Sequence, residues 1–469
     1  MRLSFLSLMI LSVPFQIYAS DDNIGYQIPF MDCFKNTMYI SGENCYLNYN
    51  KPEYAVSDWQ FLEVPIDYQS NSSERTKISY RLSANFSPDK KTIIYFNGGP
   101  GGTSFNTDFN MLDDVNVIYF NQRGAAFSRP ESQELFLNQD YYSSENTARD
   151  ALEIIKHLQI NQVTAYGMSY GTVPATIFGS LFPERTRNVI LEGVVFDGQS
   201  RLWFGLHRIK LLQRYFDHLD DEFLKNNILK YSHHPEVFSG WFSSLAQRLM
   251  YDANFEKNLT ATLKSFFYPD LLLTSEENEK LVIEKLKPFS YRNPGTESEM
   301  IWYSSTLFNF IACKELDAKN ELSNFYSIFN EQKKLIPYQK PPTDENYCQK
   351  LNITKSETYS AARYPIQVPV YYFQGTTDGA TTAEYAVWHY KKSAKSRAEL
   401  ILAKQVGHVV AIQYLTKSSN LSESDKKQIA KQTEIVKIFK SAINNESIDL
   451  SKLNQLMDDK NLMWVKTQK

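Results

Sequence analysis

The sequence predicts an α/β protein, with a mostly parallel sheet, helices on both faces and one long helical insertion. Short apolar runs alternate with amphipathic helical stretches from about residue 92 to 195, and this alternation resumes near residue 368. Strands that alternate with helices form parallel sheets that are covered on both faces. Residues 198–365 are helical and aromatic without clear strand patterns, which predicts an insertion into a single core.

Each core element is predicted from its own local pattern. The runs FLEVPIDY (61–68) and KISYRLSANF (77–86), joined by a polar turn, are typical of a hairpin. Apolar runs predict buried strands at 92–96, 115–120, 163–166, 188–195, 368–375 and 398–403. Helical periods predict helices at 144–159, 172–184, 382–393 and about 423–443.

The first residues are typical of a secretory signal peptide. Arg2 precedes an apolar run of roughly a dozen residues, and Ala19 is the small residue at the predicted cleavage point. We therefore predict a signal peptide at 1–19 and a secreted or periplasmic mature protein that does not associate with a membrane. The predicted domains are a first core segment at 20–197, a helical cap insertion at 198–365 and a second core segment at 366–469.

The cysteine count agrees with export. The chain has four cysteines, which allow three disulfide connectivities, and we favour the pairs close in sequence, Cys33–Cys45 and Cys313–Cys348. Four buried thiols are the alternative. No pair has the short spacing of a zinc site, so no metal is predicted. A net charge of −3 gives no basic surface for nucleic acid.

The segment AYGMSYGT (165–172) places Ser169 between Gly167 and Gly171, after a strand and before a helix. A Gly-x-Ser-x-Gly pattern in this context is a nucleophile elbow, in which the turn is so sharp that larger flanking side chains would clash. A serine hydroxyl also needs a base and an orienting acid, which follow in the order Ser, Asp, His in this kind of core.

Two later loops supply the acid and the base. Asp378 follows the strand in YYFQGTTDGA, and His408 follows the next strand in ILAKQVGHVV. Both lie at the carboxyl ends of strands, where ligands bind in such sheets. His389 lies within a predicted helix and is interpreted as a surface or packing residue.

The segment FNGGPGG (96–102) follows a strand and suits a loop with exposed backbone N–H groups. We assign the oxyanion hole to the N–H groups of Gly99 and Tyr170. A phosphate-binding loop is the rival interpretation, but the segment lacks the Gly-Lys-Ser/Thr ending that such loops use.

Taken together, GGPGG, NQRGAAFSRP, YGMSYGT, LEGVV, GTTD and VGH resemble the α/β-hydrolase group of prolyl aminopeptidases and bacterial tripeptidyl aminopeptidases. The resemblance covers about residues 55–197 and 366–412. It implies the α/β-hydrolase fold with a helical cap over the active site. It also implies Ser169 as nucleophile, Asp378 as acid and His408 as base.

This sequence departs from the family pattern at a few positions. Asn97 and Asn121 stand where the family often has His and Asp, and Ala126 replaces a glycine. Tyr170 follows the nucleophile, as in tripeptidyl types, where prolyl aminopeptidases typically have Trp. Arg123 is interpreted as part of an internal ion pair that braces the oxyanion loop, with a role in the site as the alternative.

The predicted function is an exported serine aminopeptidase that acts on peptides, needs no cofactor and releases short N-terminal pieces. A carboxylesterase is the alternative within enzymes, and a non-catalytic binding protein of the same fold is the alternative from another class. Glu192, at the end of the LEGVV strand, is the candidate group for binding the substrate amine. A Glu192–Arg123 pair and carboxylates of the cap are the other possibilities. The oligomeric state is left open.

Overall fold

The computed structural model describes residues 58–70, 72–104, 107–198, 214–232, 255–286, 304–316, 348, 353, 357–416, 426–457 and 459–469. The predicted signal peptide at 1–19 and the predicted Cys33–Cys45 pair lie outside the described residues. The other predicted pair, Cys313–Cys348, is a disulfide with its Cα atoms 5.6 Å apart.

The described strands form one sheet. In chain order they are β1 Gln60–Pro65, β2 Arg75–Leu82, β3 Thr92–Phe96, β4 Asn116–Phe120, β5 Val163–Met168, β6 Thr186–Glu192, β7 Val370–Gly375, β8 Ala398–Ala403 and β9 Val465–Gln468. Their order across the sheet is β1-β2-β4-β3-β5-β6-β7-β8-β9. The strands from β4 to β8 are parallel, and the pairs at the two edges are antiparallel.

Helices lie between the strands and follow them. In chain order they are α1 Gln133–Phe136, α2 Ser144–His157, α3 Thr172–Leu181, α4 Glu222–Ser232, α5 Phe255–Phe267, α6 Ser275–Leu286, α7 Ser305–Lys314, α8 Ala383–Lys392, α9 Ile412–Leu415, α10 Lys426–Ile443 and α11 Ser451–Gln455. The four helices α4 to α7 lie within the predicted insertion. Among the described helices, none has the length and apolar character needed to cross a membrane.

The sheet is buried on both faces, as the apolar strand runs predict. One core cluster includes Ile154 of α2 and Phe178 of α3, and the other includes Phe439 of α10 and Leu453 of α11. The central strands β3, β4, β5 and β7 are buried at every residue. Helices therefore cover both faces of a mostly parallel sheet, and the predicted α/β core is confirmed, while the helical cap stays a prediction.

The predicted elements match the structure closely in the core. Strands β3 and β8 have the predicted bounds, and most other bounds differ by a few residues. Strand β6 ends at Glu192 rather than at 195, because Gly193 turns the chain with φ +63°. Strand β9 and helix α11 are not predicted from the sequence, since β9 is short and mostly exposed and so carries no apolar signal.

Candidate active site

Ser169 lies on a sharp turn between β5 and α3. Its φ is +56°, a left-handed conformation that a residue with a side chain adopts only when its surroundings impose it. A Cβ at Gly167 would collide with the carbonyl of Gly171, and a Cβ at Gly171 would collide with the carbonyl of Phe96. Both glycines are therefore required by close backbone approach, as the Gly-x-Ser-x-Gly pattern predicts.

The predicted base and acid are in direct contact. Nδ1 of His408 lies 2.8 Å from Oδ2 of Asp378, and both side chains are buried. The Asp378 carboxylate is fixed by other donors, namely the N–H groups of Ala380 and Thr381, the Thr381 hydroxyl and the amide of Gln374. The contact with Asp378 occupies Nδ1 of His408, so Nε2 is the ring nitrogen that can serve a nucleophile.

Strand register brings His408 to the edge of the sheet where Ser169 lies. Met168 pairs with Glu192, so Ser169 and Gly193 follow the ends of adjacent strands, which lie about 4.8 Å apart in a sheet. The His408 ring packs on Gly193, since a Cβ at that glycine would lie 2.8 Å from Cε1 of the imidazole. Ser169 and His408, the predicted nucleophile and base, therefore lie at the same edge of the sheet.

The imidazole of His408 is buried among acidic groups. Burial lowers its pKa, but the charge of Asp378, the hydrogen bond to it and the charge of Glu192 together outweigh this effect. The pKa of His408 therefore lies above its ordinary value of 6.5. Its protonated form, which arises when it takes a proton from a nucleophile, is favoured by the site.

The glycine-rich loop lies directly against the nucleophile. A Cβ at Gly98 would lie 3.0 Å from the Cβ of Ser169, so the backbone approaches as closely as glycine permits. Tyr170 lies in the first turn after the elbow, where backbone N–H groups have no partner within the helix. Gly98 therefore lies against Ser169 and Tyr170 follows it in the chain, while the assignment of the oxyanion hole to the N–H groups of Gly99 and Tyr170 stays a prediction.

The two asparagines that depart from the family pattern hold this loop. Asn97 accepts a hydrogen bond from the N–H of Gly98 at 2.8 Å and donates to the carbonyl of Thr103. Asn121 accepts from the N–H of Ser104 at 2.9 Å. The amide side chains therefore join both ends of the glycine-rich loop to β3 and β4, a role that the sequence pattern does not reveal.

Arg123 forms a buried ion pair, as the preferred interpretation states, but its partner is Asp150. Two guanidinium nitrogens lie 2.7 Å from the two carboxylate oxygens of Asp150, and the guanidinium also donates to the carbonyls of Pro65 and Ile66. The predicted alternative, a Glu192–Arg123 pair, is wrong. Arg123 instead joins the end of β1 to α2.

Glu192 is fully buried, and the protein's own donors occupy both of its oxygens. Oε1 accepts from the N–H groups of Val410, Ala411 and Ile412, and Oε2 accepts from the Tyr166 hydroxyl at 2.7 Å. A carboxylate with these contacts and no exposed surface does not reach a substrate amine. The structure therefore corrects the prediction that Glu192 binds substrate.

The predicted insertion contacts the site region through both ends of α7. The N–H of Ser304 donates to the carbonyl of Gly101 in the glycine-rich loop at 2.8 Å. Beyond the other end, the buried Glu315 accepts from the N–H and hydroxyl of Ser144, and that hydroxyl also bonds the Tyr170 hydroxyl. No sequence signal marks Glu315, because its partners come from distant elements.

His389 is a packing residue. It is fully buried and bonds the hydroxyls of Thr176 and Tyr372 at 3.0 and 2.9 Å. Burial lowers its pKa to about 3, so it stays neutral at physiological pH. It lies against α3 and β7, and these described hydrogen bonds do not join it to Ser169 or His408.

A match to a family model identifies the fold class of this chain. Residues 91–260 match a family described as alpha/beta hydrolase fold. The chain has this fold, and the predicted nucleophile elbow and acid–base pair lie at the carboxyl edge of its sheet.

Two relatives that match part of this chain are a proline iminopeptidase and a tripeptidyl aminopeptidase. The "Probable proline iminopeptidase" of Leptolyngbya boryana is 30% identical over 157 residues, which is 32% of this chain and 44% of that protein. The tripeptidyl aminopeptidase of Streptomyces lividans is 23% identical over 216 residues, 35% of this chain and 40% of that protein. The matches span less than half the length of these relatives. They support the family of prolyl and tripeptidyl aminopeptidases, which the motifs predict.

Solved structures match this chain at low similarity. A proline iminopeptidase-related protein from Thermus thermophilus is 13% identical, with a TM-score of 0.34, and the match covers 81% of this chain and 98% of that one. A hydrolytic enzyme described as probable, from Pseudomonas aeruginosa, is 14% identical with a TM-score of 0.35 over 76% and 89% of the two chains.

Proposed function

We propose that the protein is an exported serine aminopeptidase that releases short N-terminal pieces from peptides through an acyl-enzyme at Ser169. The observation that carries the proposal is the buried His408–Asp378 contact of 2.8 Å beside the nucleophile elbow. The elbow, the base, the acid and a glycine-rich loop are the parts that acyl transfer by a serine needs. The matched aminopeptidases favour a peptide as the acyl donor.

The reaction follows from these positions. The Ser169 hydroxyl attacks the carbonyl carbon of the scissile bond while Nε2 of His408 takes its proton. The N–H groups of Gly99 and Tyr170 stabilise the oxyanion of the tetrahedral intermediate. His408 then gives its proton to the leaving amine, and water hydrolyses the acyl-enzyme with His408 again acting as base and then as acid.

Recognition of a free N-terminus needs a group other than Glu192, because that carboxylate is fully occupied. Carboxylates of the insertion are the candidates that the sequence offers. An insertion that covers the cleft would also exclude folded proteins and admit short peptides, which agrees with an aminopeptidase.

The test compares one tripeptidyl-aminocoumarin with a free N-terminus and the same compound acetylated. An aminopeptidase hydrolyses the free form far faster, because the ion pair to the amine is lost on acetylation. Equal rates would contradict the aminopeptidase proposal and leave an endopeptidase or a carboxylesterase.

A fluorophosphonate probe separates these enzymes from a non-catalytic binding protein. The probe should label the native chain at Ser169 and should not label Ser169→Ala. Absence of labelling on the folded native chain would contradict every hydrolase assignment at once.

A further inference from the structure

Glu192 is a buried carboxylate that the proposed reaction does not use. It is the last residue of β6 and pairs across the sheet with Met168, the residue before the nucleophile. Its exposed fraction is 0%. Burying a carboxylate is costly unless its oxygens are fully hydrogen-bonded, so its partners show what it does.

The partners are backbone groups of the segment that carries His408. The Oε1 atom of Glu192 lies 2.6 Å from the N–H nitrogen of Val410, 2.9 Å from that of Ala411 and 3.2 Å from that of Ile412. These N–H groups begin two residues after His408. The other oxygen, Oε2, accepts from the Tyr166 hydroxyl and again from Ile412.

These contacts suit the ionised form of the carboxylate. Burial raises the pKa of Glu192 above its ordinary value, and the hydrogen bonds from Tyr166 and from the three amides offset only part of that rise. The three amide N–H groups can only donate, and together with the Tyr166 hydroxyl they solvate the ionised form of the carboxylate. When Glu192 is ionised, His408 faces a second negative charge besides the Asp378 carboxylate.

The neighbour of Glu192 contacts the imidazole itself. Gly193 packs against the His408 ring. The end of β6 therefore contacts the histidine loop through Glu192 and the imidazole through Gly193. Among the described residues, the titratable groups that raise the pKa of His408 are Asp378 and Glu192. Those around Glu192 are Tyr166 and His408, and the Tyr95 ring of β3 lies behind Tyr166.

We propose that Glu192 is a positioning residue for His408, whose carboxylate holds the 408–412 segment and whose charge stabilises the imidazolium formed during acyl transfer. The inference rests on the proposed function only in taking His408 as the base. It places Glu192 with Asp378 among the charged groups that act on His408, and not in contact with substrate.

The test titrates His408 directly. Histidine labelled with ¹³C at Cε1 is followed by NMR across pH, and the His408 signal is assigned by its loss in His408→Ala. In Glu192→Gln, which keeps shape but removes charge, the midpoint should fall by about one pH unit. The rate of fluorophosphonate inactivation at the optimum should fall by about tenfold. An unchanged or raised midpoint in the folded variant would overturn the proposal.

Glu192→Asp separates charge from hydrogen-bond geometry. Asp keeps the charge with a shorter reach, so the midpoint should stay near the native value while the inactivation rate falls. A carboxylate that served only to hold the loop would be replaced better by Gln than by Asp. Where Glu192→Gln does not fold, a native inactivation rate in folded Glu192→Asp would overturn the positioning role.

Glu399 supplies a matched control. It is also a fully buried carboxylate, on β8, and it accepts from the N–H of Ile448 at 2.9 Å and pairs with Arg397 at 2.7 Å. Glu399→Gln should lower the melting temperature and leave the His408 midpoint unchanged. An equal midpoint shift in Glu399→Gln would refute a specific role of Glu192. The NMR midpoint needs no peptide substrate, so a failed aminopeptidase assay leaves this test intact.

Discussion

Gly193→Ala is the substitution that tests most directly where the structure places His408. At φ +63° an alanine costs about 1–2 kcal/mol of backbone strain. Its Cβ would also lie 2.8 Å from Cε1 and 3.1 Å from Nδ1 of the imidazole. Carbon atoms in contact prefer about 3.5 Å or more, so the ring must move by roughly 0.7 Å.

The displaced imidazole cannot both keep the hydrogen bond from Nδ1 to Asp378 and hold Nε2 toward Ser169. Nδ1 is held 2.8 Å from Asp378, so a push on Cε1 tilts Nε2 away from the nucleophile. A displacement of this size in a catalytic group costs on the order of 100-fold in rate. We expect kcat/KM to fall by about 10- to 100-fold, together with a loss of a few degrees in Tm.

The assay measures kcat/KM with a tripeptidyl-aminocoumarin and the rate of fluorophosphonate inactivation on the same samples. Gly124→Ala is the control, since Gly124 also has positive φ, at +77°, and a Cβ there would press on Tyr142 instead of His408. That variant should lose stability and keep its rate when folded. A folded Gly193→Ala within about twofold of the native rate would refute the placement of the imidazole.

Other predictions address the nucleophile, the base, the ion pair and the disulfide. Ser169→Ala should lower kcat by about 10⁴- to 10⁶-fold with little change in Tm, and appreciable residual turnover would contradict the nucleophile assignment. Because the base must be neutral and the pKa of His408 is raised, kcat/KM should fall on the acid side with a midpoint above 6.5; a midpoint well below that value would point to another base. Arg123→Met should lower the free energy of unfolding in urea by about 3–5 kcal/mol, because it leaves the buried Asp150 carboxylate unpaired. A urea midpoint equal to that of the native chain would contradict a stabilising ion pair. Replacing Cys313 and Cys348 with alanine should cost about 2–4 kcal/mol, and an unchanged Tm would show that the bond does not stabilise the native chain.

Those parts of the site that depend on local chain geometry could be predicted from the sequence. Gly167 and Gly171 mark the elbow because their close packing excludes other residues. Asp378 and His408 could be chosen because each follows an apolar strand in a loop at the same edge of the sheet. In all these cases the pattern lies close in sequence to the functional group.

The role of Glu192 could not be predicted in the same way. The sequence predicts that Glu192 lies at the end of a strand, and the structure confirms this position. Its hydrogen-bond partners, however, are the backbone N–H groups of residues 410–412 and the Tyr166 hydroxyl on β5. Every residue except proline has a backbone N–H group, so the residue types at 410–412 do not reveal that they bind a carboxylate. The sequence therefore does not distinguish a carboxylate that binds backbone N–H groups from one that faces a ligand. Asn97 shows the same limit, since its partners are a backbone N–H and a carbonyl.

The sheet order explains why the acid–base machinery and the glycine-rich loop depend on different parts of the chain. Strands β5, β6, β7 and β8 are consecutive neighbours, and their carboxyl ends supply Ser169, Gly193, Asp378 and His408 in that order. The charge around His408 is therefore fixed within the core. The predicted insertion, in contrast, contacts the glycine-rich loop through the backbone N–H of Ser304. Ser304→Pro, which removes this N–H group, should consequently weaken oxyanion stabilisation and lower kcat, while it leaves the His408 titration midpoint at its native value.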